Sequence, residues 1–258
     1  MENLLDLAKL NVLIMMAGFC GLVIYMIELA KRGRRMYVRP LAGLKAIEEA
    51  VGRATEMGRA VLYVPGIDDV NNIQTIYSMV ILEHVSKIVA SYETPLIVPI
   101  GKAFVVPMAE ETVKQGYVNA GRREAFDVEN VRYLSDEQFA FTGAVNGIIL
   151  RERPAANIYL GSFYAESLIL AETGFVAGSI QVAGTANIHQ LPFFVVACDY
   201  TLIGEEFFAA TAYLAQEPKL LGTLKGIDWF KMLILTALVV GFILETAGIT
   251  WFSGLFLT

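Results

Sequence analysis

Apolar residues in this chain follow three patterns: an unbroken run near each end, short β-type runs between them, and stretches with apolar positions at helical spacing. From Leu10 to Ile27, about 18 residues (LNVLIMMAGFCGLVIYMI) carry no charge, enough for a membrane-spanning helix. Glu28 closes the run, and Lys31, Arg32, Arg34 and Arg35 follow. A cleaved secretory leader has its cations ahead of the apolar run, so the reversed order here predicts a retained anchor. The second run starts at Trp229, and beyond Lys231 its only charge is Glu245. Trp229 to Trp251 covers about 22 residues, roughly 33 Å of helix. That matches a hydrocarbon core with a tryptophan at each interface. Each run also holds a small-residue step, Ala17 with Gly21 and Ala237 with Gly241, of the kind that lets helices pack closely.

Basic flanks set the expected orientation. Lys31, Arg32, Arg34, Arg35 and Arg39 follow the first run, and Lys219, Lys225 and Lys231 precede or open the second, whereas the far sides hold only Lys9. Positive flanks stay in the cytoplasm. The expectation is a two-pass protein of the inner membrane with a cytoplasmic middle and both termini outside. Its segments are an outer N-terminus (1–9), a spanning helix (10–29), a basic connector and helix (30–58), a cytoplasmic domain (59–226), a spanning helix (227–251) and an outer C-terminus (252–258).

Between the runs, β-type segments occur at Ala60–Pro65, Pro95–Ile100, Val131–Leu134, Asn157–Leu160, Ser179–Ala183 and Phe193–Cys198. Helical patterns separate them at Asn71–Tyr92, Val106–Gly121, Asp136–Arg151 and Ser162–Thr173, and a last one follows at Gly204–Gln216. Ser135-Asp136-Glu137 supplies a cap and acidic residues for a helix start. Such alternation predicts a Rossmann-like α/β domain, a mostly parallel sheet with helices on both faces. The fifth and sixth runs are joined by GTANIHQLP, too short for a helical crossover. They are therefore expected to be antiparallel, unless the fifth is not a full strand.

Composition agrees with membrane attachment. Of 258 residues, 55% are hydrophobic and only 18% charged, against about a quarter charged in an ordinary soluble domain. Two cysteines exclude a disulfide scaffold, and a net charge of -6 argues against a general nucleic-acid binder. Pro154 to Pro218, about 65 residues, contains no Lys or Arg. Water-exposed faces normally carry such cations, so this stretch is either centrally buried or part of a subunit interface, where charge is depleted. The interface alternative predicts a homo-oligomer joined within Pro154–Pro218, besides contact with the lipid bilayer.

At VLYVPGIDDVNNIQTIYSM and TANIHQLPFFVVACDYTLIGEE the sequence resembles an uncharacterised prokaryotic membrane-protein family, a domain of unknown function. The resemblance covers Met1 to about Gly248. It implies membrane attachment and assigns no substrate, cofactor or catalytic residue.

In open α/β sheets ligands bind beyond the carboxyl ends of the strands. The speculative ligand-binding residues there are Asp68 and Asp69 after the first strand, Lys102 after the second and Ser162 after the fourth. His189 follows the fifth and Asp199 the sixth. No glycine-rich dinucleotide fingerprint or P-loop occurs, and the acids of PGIDDVNN would repel a phosphate. Helix capping is the plainer role for Asp68-Asp69, and a turn with a serine cap for Gly161-Ser162. His84 and His189 are the only histidines, and the nucleophile elbow of a serine hydrolase is missing. No cofactor, metal site or catalytic set is assigned. Glu245 is the one intramembrane polar candidate: it lines a pathway, or the bilayer ends beside it. The leading functional expectation is a membrane-anchored structural or scaffold protein. A tethered small-molecule, nucleotide-binding or enzymatic domain comes next, then an oligomeric pore or transporter component.

Overall fold

The computed structural model describes residues 10–34 and 41–248, which form two compact units. In one, helix α1 (Leu10–Lys31) packs against α9 (Pro218–Thr246). Both are long and apolar enough to cross a membrane, α9 reaching about 43 Å. A Cβ on Gly222 would lie 2.5 Å from Ile27 Cα, and one on Gly226 2.9 Å from Val23 Cα. Further along, the Phe19 and Phe230 rings are 4.7 Å apart. Partner numbers fall on α1 as they rise on α9, so the helices are antiparallel. The backbones meet at Gly222 and Gly226, not at the Ala17–Gly21 step, where a Cβ on Gly21 would meet nothing within 4 Å. Those two glycines precede Trp229, outside the segment read as membrane.

The other unit, Arg39–Ala215, is the α/β domain. It begins earlier than the sequence suggests because α2 (Ala42–Glu56) buries Leu44, Ile47 and Val51 in its core. It also ends earlier, since Pro218 onward belongs to α9. The strands are β1 (Val61–Gly66), β2 (Leu96–Ile100), β3 (Val131–Tyr133), β4 (Ala156–Ser162), β5 (Ile180–Thr185) and β6 (Tyr200–Ile203). They form one sheet in the order β3-β2-β1-β4-β5-β6, parallel throughout. β1 and β4 are central and wholly buried, as expected of mostly apolar strands in a sheet covered on both faces.

One face carries α2, α3 (Ile73–Tyr92), α4 (Val106–Asn119) and α8 (Glu205–Ala215), through Val51, Leu82, Val113 and Phe207 among others. The other carries α5 (Gln138–Glu152), α6 (Glu166–Val176) and α7 (Leu191–Ala197), through Phe141, Leu170 and Phe194. Tyr63 lies fully buried in β1 and donates to Ser78 O at 2.6 Å, and burial pushes its phenol well above the ordinary tyrosine range.

The sixth strand corrects the sequence reading. Phe193–Cys198 is not a strand: LPFFVVA forms α7, with Pro192 in its first turn, where a missing N–H costs nothing. This short helix makes the crossover, so β6 starts at Tyr200 and runs parallel to β5. Gln181 Nε2 donates to Ala171 O (2.9 Å) and Ala197 O (2.8 Å), fixing α6 and α7 side by side on the sheet.

Candidate functional site

Sheet order reverses between β1 and β4, the position where doubly wound folds open a ligand crevice. Here backbone closes it. The β1–β4 ladder continues to Gly66 and Ser162 across a register shift, and Ile67 N donates to Ser162 O at 3.0 Å. Gly161 has φ +146°, and a Cβ on it would stand 2.2 Å from Pro65 O. Gly66, at φ +91°, would place one 2.5 Å from Ser162 O. Only glycine allows the two strands to approach this closely in that conformation.

Side chains then cover the strand ends. Asp68 accepts from Asn72 Nδ2 (2.6 Å) and from the Tyr164 hydroxyl (3.0 Å). Partial burial, followed by the Asp68 carboxylate, pushes the Tyr164 phenol up. Asp69 accepts from Val70 N at 2.7 Å. Neither aspartate caps α3: Asn72 does, accepting from Gln74 N at 2.9 Å. Ser162 is the last residue of β4, not a cap, and its Oγ accepts from Asn187 Nδ2 at 3.2 Å. Gln74 spans the gap, donating to Asn187 Oδ1 (3.2 Å) and accepting from Ala186 N (2.8 Å). The Glu166 carboxylate is wholly buried, held by Tyr164 N (2.8 Å) and the Gln138 amide.

A crevice of about 180 Å³ remains beside this cover, lined by Asp68, Lys102, Ser135, Asp136 and Gln138. Lys102 Nζ donates to Asp136 O at 2.9 Å. Thus Asp68, Asp69, Lys102, Ser162 and His189 all lie on the carboxyl edge of the sheet, and two of them line the same crevice; His189 is exposed in the loop after β5. Asp199 does not join them. Because the sixth strand starts at Tyr200, Asp199 stands at the opposite edge, accepting from Gln181 N at 2.7 Å. There it borders a separate cavity of about 250 Å³ with Glu49, Arg53 and Tyr200. Sequence reasoning missed Gln74, Gln138, Tyr164 and Glu166. They lie within or just before helices, and nothing in their spacing marks them.

Residues 1–256 match the family model described as a domain of unknown function (DUF6754). The chain belongs to that family. No curated protein and no solved structure matches it. Membership brings no reaction with it, so any chemistry has to be read from the residues in place.

Those residues form no metal-holding group: among the described residues, no three His, Cys, Asp or Glu cluster. Burial, with Asp199 adding to it, pushes the Cys198 thiol up to about 12, which removes it as a nucleophile at neutral pH. Glu245 is exposed in the last turn of α9, which ends at Thr246 with Gly248 in the left-handed region (φ +82°). Trp251, which bounds the second apolar run in the sequence, lies outside the described residues, as do Lys9, Arg35 and Arg39.

Glu137 caps α5 at the rim of the crevice, accepting from Ala140 N at 2.6 Å. This bond, then one from Phe139 N, holds its carboxyl below the usual range. A depressed folded-state value gives stabilisation that is complete above the unfolded value and fades as pH falls through the folded one. Glu137→Ala is therefore expected to lower the thermal midpoint at pH 7, and the gap should close in acid. Parallel midpoint curves for the two proteins down to pH 3 would refute this role for the cap.

Proposed function

We propose that this protein is a membrane-anchored, homo-oligomeric scaffold. In this reading α1 and α9 cross the inner membrane, the α/β domain lies in the cytoplasm and both termini point outward. The basic flanks Lys31, Arg32, Lys219 and Lys225 support that orientation. The observation carrying the oligomer is the surface of α6, α7 and the turn that precedes α7. Phe175 is 72% exposed, Val176 73%, Ile188 76% and Val196 87%, with Leu168, Ile169 and Val195 beside them. These residues fall inside the stretch from Pro154 to Pro218 that lacks Lys and Arg. Adjacent exposed apolar side chains without interspersed cations suit a subunit interface better than a solvated face. Copies held in one membrane plane also meet at raised effective concentration. The covered strand ends favour a structural role over catalysis. The test is particle mass in mild detergent: a multimer supports the reading, and a monomer at micromolar concentration refutes it.

A tethered ligand-binding domain is the second reading, favoured by the crevice beside Asp68 and Lys102 at the carboxyl edge. At about 180 Å³ it falls below the 300–1,000 Å³ typical of small-molecule pockets. If it binds an anion, nucleotides or phosphate should raise the thermal midpoint by several degrees, and Lys102→Gln should remove the rise. No rise with any of them would end this reading.

A further inference from the structure

The two-helix unit contains an apolar groove of about 640 Å³ between α1 and α9. Leu22 and Met26 bound it on α1 at the Trp229 end, and Trp229, Met232, Thr236 and Val240 line it along α9. The α9 residues recur every three or four positions, so they make one stripe along the helix. Trp229 to Val240 covers about eleven residues, roughly 16 Å of rise. Half of a hydrocarbon core about 30 Å thick is about 15 Å, so the α9 stripe runs the depth of one leaflet. Ala237, which also lines it, is too short to fill it.

Charge begins at the Trp229 end. Lys225 lies one turn beyond Trp229 on the same stripe, its Nζ 3.4 Å from Asp228. At the end of α1, Lys31 and the next residue, Arg32, follow Met26 within two turns and pair with Glu28. With Lys231 included, cations here outnumber carboxylates. We propose that this groove binds one tail of an anionic phospholipid, with Trp229 at the interface and the headgroup phosphate beside Lys225. Inside a bilayer an apolar groove gains little from the hydrophobic effect, so fit and headgroup charge select its occupant. The length of the α9 stripe and the basic end both match a lipid of one leaflet.

The proposal rests on α1 and α9 being membrane-spanning, and the experiment separates the two questions. Full-length protein carrying Trp251→Phe, which leaves Trp229 as its single tryptophan, is reconstituted in nanodiscs. One set holds a small fraction of tail-brominated phosphatidylglycerol in plain phosphatidylcholine. The other holds the same fraction of brominated phosphatidylcholine in plain phosphatidylglycerol. Bromine quenches a tryptophan it touches, so Trp229 should be quenched at least twofold more strongly in the first set. Lys225→Gln should reduce that excess and Ala237→Phe, which fills the groove, should abolish it. Equal quenching in the two sets overturns the proposal. So does weak quenching in both, the result if another helix occupies the groove. Protein that does not enter nanodiscs, while its α/β domain remains folded, overturns the membrane reading as well.

Discussion

On the proposed homo-oligomeric reading, Val196→Glu combined with Phe175→Glu is expected to leave only monomers in detergent while the domain stays folded. Both side chains are mostly exposed on α7 and α6, so neither substitution opens a cavity in the α/β core. Thermal midpoints should accordingly change by no more than about 2 °C, as for surface substitutions generally. Association should respond differently. Removing a valine or phenylalanine from a buried contact forfeits about 1.5–3 kcal/mol each. A carboxylate stranded at the centre of an interface adds a desolvation cost of several kcal/mol. A combined loss above about 4 kcal/mol weakens association by roughly a thousandfold. Light scattering on both proteins reads this directly. An unchanged mass would mean that α6 and α7 do not form the contact, even if the protein is multimeric.

Gly161→Ala should have the largest effect on stability. The alanine methyl would lie 2.2 Å from Pro65 O and 2.7 Å from Pro65 C, atoms of the neighbouring central strand. Its φ of +146° also lies where L-residues are strained. Strain and overpacking combine, so a loss above about 4 kcal/mol is expected, enough to prevent the α/β domain from accumulating folded. Gly178→Ala is the control: φ is +70° and a Cβ there meets nothing within 4 Å. It should cost only about 1–2 kcal/mol. Denaturant midpoints of the two variants compare them, and similar midpoints would show that β1 and β4 can separate at low cost.

Most of the architecture was legible because long periodic segments leave little choice. The charge-free run from Leu10 and the helix ending at Tyr92 lie where apolar spacing puts them. The error at Phe193–Cys198 has a definite physical origin. A six-residue apolar run fits a buried strand and a buried helix equally well. Pro192 and the need for a crossover between parallel strands were the available signals, and both pointed to a helix. Misplacing that strand by one element moved Asp199 to the wrong edge of the sheet. The loops of the candidate site could be located from the strands alone. Their closure could not, because it depends on Gln74 meeting Asn187 across 113 positions of chain and on Gln138 meeting Glu166. Helix packing was misplaced for a similar reason. Thr223 and Lys225 make Gly222–Gly226 look polar, so the step falls outside any search confined to apolar runs.

The sheet order also governs how the nascent chain matures on the ribosome. β1 emerges first yet ends up in the middle, and β2 and β3 extend it in one direction only. Until Ala156–Ser162 has been synthesised, the other side of β1 is a bare apolar edge, open to pairing with any passing strand. α1 likewise waits for α9, which emerges nearly two hundred residues later. A ribosome that stalls between Tyr133 and Ala156 therefore releases a half-sheet prone to aggregate, whereas a stall after Ile203 releases one whose strands are all present.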